Sequence, residues 1–374
     1  MAPPPLEGRT PGNVLTVQGP QEVTLVNLDL IGRGAASGGG AGLSVNGTAT
    51  VMTYGVVAEH NGSAGFSVGA GAALSMYGGG AFDNGWYGIN LGLDGSASLR
   101  GRALLLGGRE PLVVSGNTGG GIRVDRGHLY ASTGYTIEDN LGPGLTAYAG
   151  VAALADYQAS SESFVQGNQG GVFASEGSRI TFVGSVALLN NGSYGVYVED
   201  GGNASFIAQN PASGESKTVV VEGHTTVGVE VVAHSQASFH GHHVIRANGK
   251  GAPPGVVGAG IWVDGTSHAY IDDNGGRSTP PEVVENHYGV LVTLNSSIDA
   301  RAGIVRDNLA AGIAILSQSI AYLGPDPRLL GPAGGTPLTC DSTSLVSTNL
   351  VRRSGSCINV IGPVARPLRP EMPK

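Results

Sequence analysis

The sequence predicts an all-β solenoid, a chain wound into a stack of short-stranded rungs, on three observations. A Gly followed by apolar-x-apolar recurs along most of the chain, usually with an Asn two to four residues before it. The residues after each such Gly alternate with period two, which marks strands and not helices. Gly makes up 64 of 374 residues without a Gly-X-Y period, so corners are abundant and collagen is excluded. Self-similarity at a period of about 20 to 50 residues marks a repeat architecture.

The unit is clearest from Gly171 to Tyr194, 24 residues that read as three strands. Val172 and Ala174 face one way and Phe173 the other; Ile180 with Phe182, and Val186 with Leu188, continue the pattern. The signature glycines are Gly42, Gly65, Gly88, Gly121, Gly144, Gly171, Gly195, Gly228, Gly260, Gly289 and Gly312. They define about eleven rungs on a base period of 23–24 residues, with insertions. The Asn and Gly between strands are read as corner residues, because both tolerate positive φ at low cost. Inward positions then stack on their counterparts one rung away, about 4.8 Å apart. Val45, Val68, Leu91 and Val124 form one expected column, Ala204, Ala237 and Ala269 a second, and Phe182, Phe206 and Phe239 a third.

These Asn corners and three-stranded rungs resemble the right-handed parallel β-helix, the pectate-lyase-like superfold. The resemblance covers residues 15–325 and is one of architecture, not of a particular activity. Around it, residues 1–14 read as an extended N-terminal segment, 326–361 as an irregular cap, and 362–374 as a disordered tail. No amphipathic helix caps the N-terminal edge, and an open parallel edge invites association. Oligomerisation or a partner chain would cover it.

Charge and composition narrow the function classes. A net charge of −8 disfavours nucleic acid and anionic membranes as partners. No apolar run is long enough for a membrane span, and no signal peptide is visible. Cys340 and Cys357 enclose a loop whose closure is worth about 3 kcal/mol in the chain-entropy model. They are expected to form a structural disulfide, which implies an extracellular, cell-surface or periplasmic setting. Their spacing fits no zinc motif, and no cofactor is indicated.

Insertions and outward residues locate the candidate site. Extra residues follow the second strand near Arg102 to Pro111, Gln209 to Lys217 and Gly275 to Glu282, and a fourth insertion spans Gly249 to Gly258. Per-repeat insertions often gather on one binding face, so those between rungs 195 and 288 are expected to wall a lateral groove. Outward first-strand positions run Phe173, Tyr197, Glu230 and Trp262, with Glu199 and Asp264 two residues on. Phe173, Tyr197 and Trp262 offer apolar ring faces for sugars. Glu199, Glu230 and Asp264 are candidate catalytic carboxylates, as paired acids at such separations perform glycoside hydrolysis. The competing reading is that these are ordinary strand formers and solvated charges.

A second set is expected on the next strand. Aligning Ala237, Ala269 and Ile298 stacks His240 over Asp272 and Asp272 over Arg301, with His242 close by. His240 and Asp272 could act as base and orienting acid, Arg301 could hold substrate, or His240, His242 and Asp272 could bind a metal. Solvated surface residues are the plainer alternative. The polygalacturonase set Asn-Thr-Asp, Asp-Asp, Gly-His-Gly and Arg-Ile-Lys is not reproduced: Gly241-His242-His243 precedes Asp272-Asp273, and the other two motifs are absent. The Arg-x-Pro-x-x-Arg loop of pectate lyases is also missing. Two readings follow: a secreted or surface β-helix that binds, and perhaps cleaves, polysaccharide, or a non-catalytic structural or adhesive rod.

Overall fold

The computed structural model describes residues 6–7, 12–32, 39–103, 109–157, 163–254, 256–273, 279–329, 336–348, 354–355 and 358–359. Cys357, the 362–374 tail and parts of the insertions at 102–111 and 275–282 lie outside these residues.

The chain is a right-handed parallel β-helix of about eleven turns, without a helix among the described residues. Among the described residues, first strands of successive rungs build one parallel sheet of fourteen strands, here called sheet 1, and the second and third strands share a larger sheet of 23 strands, sheet 2. The two are fused because some strands, such as Ala73–Phe82 and Ser297–Arg306, run through the corner between them. In the 24-residue unit the strands are Gly170–Ser175, Arg179–Gly184 and Val186–Leu189. Sheet 1 extends beyond the signature glycines at both ends, with Leu15–Gln18 on Leu43–Asn46 and Thr336–Cys340 on Ala311–Ile315.

The register is the one the sequence implies. Val45 pairs with Val68, Val68 with Leu91, and Leu91 with Val124. Ala204, Ala237 and Ala269 align, as do Phe182, Phe206 and Phe239. All these side chains are buried, in one apolar core that runs from Val17 to Val346. Each large apolar side chain so buried contributes about 1.5–3 kcal/mol.

The corners work differently from the expectation. The recurring Asn is not the positive-φ residue; the residue before it is, as at His60, Asp83, Asp139, Asn190, Ala247, Glu285 and Asp307, with φ between 50° and 58°. That left-handed residue turns the following Asn inward. Asn61, Asn84, Asn117, Asn140, Asn168 and Asn191 are buried and hydrogen-bonded to one another as a ladder. Asn117 is typical. Its backbone N–H and its Nδ2 both donate to Asn140 Oδ1, at 3.0 and 2.9 Å, and Nδ2 also donates to the Ala81 and Ser115 carbonyls. The ladder satisfies backbone groups that the corner would otherwise leave buried and unpaired.

The signature glycine belongs to the same device. A Cβ on Gly88 would stand 2.8 Å from Asn117 Nδ2 and 3.0 Å from the Gly121 carbonyl, and one on Gly228 would meet Asn248 Nδ2 at 2.8 Å. Neither glycine has positive φ. Gly is there so that the next rung's Asn can approach the backbone. A shorter Ser ladder supports the corner after the first strand, where Ser235 N–H donates to Ser267 Oγ and Ser267 N–H to Ser296 Oγ.

Candidate functional site

Alternation on sheet 1 sends every second side chain away from the core, and in-register stacking lines these residues up along the rod. Arg123, Thr146, Phe173, Tyr197, Glu230, Trp262 and Leu291 are successive partners in that outer row. Glu199 and Asp264 follow Tyr197 and Trp262 by two residues, just past the ends of Tyr194–Val198 and Ala259–Val263. The structure therefore brings Phe173, Tyr197, Glu199, Glu230, Trp262 and Asp264 onto one face.

The rings are packed along the row. Phe173 and Tyr197 stack with centroids 5.6 Å apart and planes within 4°, and Tyr194 leans on Tyr197 at 5.5 Å. Faces that pack on each other along the rod leave edges and hydroxyls for a ligand. This departs from the expected open ring faces, because a rung spacing near 4.8 Å brings aromatic neighbours into mutual contact. Trp262 is braced at its polar end: its Nε1 donates to Thr293 Oγ1 at 3.0 Å, and Thr293 Oγ1 donates to Asp264 Oδ1 at 2.7 Å.

Glu230 lies between Tyr197 and Trp262 in the row. Burial, then the Asp264 and Glu199 charges, push its carboxyl up to about 7. Near neutrality it therefore exists both as acid and as carboxylate, with two further carboxylates at hand. Burial and the same glutamates raise the Tyr197 hydroxyl well above its ordinary value, and burial does likewise for Tyr194. One raised acid beside other carboxylates is the electrostatic arrangement required for proton donation to a leaving group.

The borders of this face differ from expectation. Leu291 and Ala314 face outward yet are buried, in a small apolar cluster with Val227, Ala259 and Ala311, against which Val257 and Trp262 pack. Val257 belongs to the 249–258 insertion, so that loop borders the row. The insertion at 209–217 does not: it joins a second to a third strand of sheet 2, and the whole third strand separates it from sheet 1. Part of the 275–282 insertion lies outside the described residues. The described face is a strip along the rod with one insertion loop beside it. Two shallow hollows on the described surface lie elsewhere, one lined by Ser75, Ser98, His128 and Tyr130, the other by Asp139, Leu141, Gln169 and Asn190.

The second set is separate from the first. His240 pairs with Asp272 on sheet 2, as aligned from the sequence. Asp272 Oδ2 accepts from the Tyr270 hydroxyl at 2.8 Å, and the His240 ring lies 5.5 Å from the Tyr270 ring. Arg301 is engaged from the side, its guanidinium 5.0 Å from the Tyr270 ring and 3.0 Å from Asp299. His242 bonds Thr218 at 2.9 Å through Nδ1 and stands 4.0 Å from Glu282. Among the described residues no three His, Cys, Asp or Glu side chains come together as a metal site, so His240, His242 and Asp272 do not form one.

Sequence reasoning passed over Tyr194 and Tyr148. Tyr148 continues the aromatic row at 5.8 Å from Phe173, and Arg123 lies between Tyr148 and Trp86, 5.3 and 5.2 Å from their rings. The signal for Tyr194 is its place immediately before the signature Gly195, at the end of the 24-residue unit. Cys340 is buried at the end of Thr336–Cys340; its expected partner lies outside the described residues. No family model, curated protein or solved structure matches this chain, and its likeness to the pectate-lyase-like superfold is therefore one of architecture alone.

Proposed function

We propose that the outer strip of sheet 1 binds polysaccharide, on a rod that is secreted or surface-borne, and that Glu230 is its proton donor. The observation that carries the reading is Glu230, lifted to about 7 between two aromatic residues and beside Glu199 and Asp264. Tyrosine hydroxyls, an indole edge and carboxylate acceptors suit a hydroxyl-rich chain that runs along the rod. The carboxylates repel polyuronates, so the ligand is a neutral or amine-bearing glycan. The extracellular setting rests on the expected Cys340–Cys357 bridge.

The same packing favours a second reading. Rings that stack on each other, and an indole held by Thr293, also stiffen a purely structural rod. A polysaccharide affinity panel, with product reducing ends measured in parallel, separates the two. Under the binding reading, neutral or amino polysaccharides retain the protein and polygalacturonate does not. Tyr197→Ala then weakens retention several-fold, and Glu230→Gln keeps retention while abolishing any release of reducing ends. No retention on any glycan would leave the structural rod.

A further inference from the structure

The asparagine ladder has one foreign member. At the position between Asn191 and Asn248 stands His224, 1% exposed. Its Nδ1 accepts from the Asn191 N–H at 3.1 Å, and its own N–H donates to Asn248 Oδ1 at 3.0 Å. So far it imitates Asn. The imitation fails at the other nitrogen. Asn191 and Asn248 each donate from Nδ2 to a third-strand carbonyl, of Val165 and Val221. His224 Nε2 faces the corresponding Leu188 carbonyl but closes no hydrogen bond of good geometry. The Asn-to-Asn amide link that runs through the neighbouring rungs is also missing here.

One rung on, a second imidazole is enclosed. His243 opens the third strand His243–Arg246, pairs with Val219 of Val219–Glu222, and is 1% exposed. It packs edge-on against Phe206 and Phe239, at 6.2 and 5.7 Å, and neither ring nitrogen closes a hydrogen bond of good geometry, although the His240 backbone faces the ring. His224 and His243 are the two histidines buried to this degree among the described residues. They sit on the same two adjacent third strands and the corner that follows.

We infer that the contact between Val219–Glu222 and His243–Arg246 is an acid-opened seam, the place where the rod comes apart first as pH falls. Charging either imidazole there would bury a cation with no anion to meet it. No titratable side chain perturbs His224, and the titratable neighbours of His243 are His240 and His242, which oppose a further positive charge. Burial accordingly holds His224 down at about 4 and His243 at about 3. A group whose folded value is depressed gives stability that is whole above its unfolded value of 6.5 and lost as pH falls below it. The asparagines on every other described rung of the ladder do not titrate, and the other imidazoles lowered by burial, His240, His242 and His268, each have an acidic neighbour that offsets it, Asp272, Glu282 and Asp299, so the loss concentrates at this contact. In a stack held by nearest neighbours, a weak contact opens locally. The seam also runs between the rungs of Tyr197 and Glu230, so its opening parts the outer strip.

Hydrogen exchange read by mass spectrometry, at about pH 7 and about pH 5 and corrected for intrinsic rates, tests this. The expected result is that peptides covering 219–222 and 243–246 lose at least tenfold protection at the lower pH, while 151–156 and 179–184 keep theirs. His224→Asn, which restores the resident side chain of the ladder, should retain protection in 219–222. His243→Leu should do so in 243–246, and His224→Asn stands alone as the test if that variant does not fold. Protection lost evenly or from the ends inward, or loss unchanged in His224→Asn, would overturn the seam.

Discussion

An outward strand position would ordinarily leave a glutamate in water and fully ionised. Glu230 is held otherwise by its neighbours above and below, Tyr197 and Trp262, and by the carboxylates beside it. Its raised value costs stability as pH rises. The folded state holds a proton that the unfolded chain releases from 4.5 upward. Stability is therefore whole below pH 4.5 and declines until about 7, by up to about 3 kcal/mol at about 1.4 kcal/mol per unit. Glu230→Gln removes that charge and keeps the shape. Its denaturant midpoint should match the parent near pH 4.5 and exceed it near pH 8; an equal or lower midpoint at pH 8 would show Glu230 to be solvated. Alternation alone was enough to place Glu230 on the outer face, but not to bury it. Burial depends on how the side chains of the neighbouring rungs, Tyr197 and Trp262 on either side, pack around it, across rungs some thirty residues apart in sequence. The corner residues carry a similar lesson. Asn and Gly were visible as a repeat, but their role came from what the next rung brings against them, a ladder and a close approach, not from φ.

At the scale of the strand, the third column shows how one rung supports the next. Phe206 stacks between Phe182 and Phe239 with centroids 4.6 Å away on either side, and His243 meets it edge-on. Phe206→Ala would leave a cavity touching three rungs and should destabilise the rod by about 3–5 kcal/mol in urea or thermal melts. Serious loss is expected because the backbone spacing is fixed by the ladders and cannot close the gap. A loss below about 1 kcal/mol would mean that the column can collapse. Such columns were legible because identical residues recur at one offset from each signature Gly. The insertions were legible as lengths but not as places. Whether a loop borders sheet 1 depends on which of three corners it leaves from: 249–258 leaves the corner that feeds the first strand, whereas 209–217 leaves the corner one strand earlier.

Across the whole molecule, a rod built this way should be divisible only in whole rungs. Gly121 and Gly144 occupy equivalent places on sheet 1, as the pairs Ile122 with Leu145 and Val124 with Ala147 require. On sheet 2 the removed rung stands between equivalents as well, since Ser96 pairs with His128 and His128 with Val151. Excising residues 121–143 would therefore join Gly120 to Gly144 without a change of face. Asn117 donates to Asn140, and Asn140 to Asn168, so loss of Asn140 lets Asn117 meet Asn168 by the same geometry. The expected product is a folded rod shorter by about 4.8 Å, measurable by small-angle scattering, with an unchanged β-sheet circular dichroism band. The strip from Phe173 to Trp262 lies beyond the excision, so retention on any glycan that binds the parent should persist. Excising residues 121–132 removes the first and second strands of that rung, brings the third strand Tyr135–Glu138 to the place of a first strand, and should yield no folded protein. If both deletions fold, or neither does, stacking between neighbouring rungs is not what holds the chain, because only the whole-rung cut leaves each Asn, Gly and inward side chain beside a counterpart of its own kind.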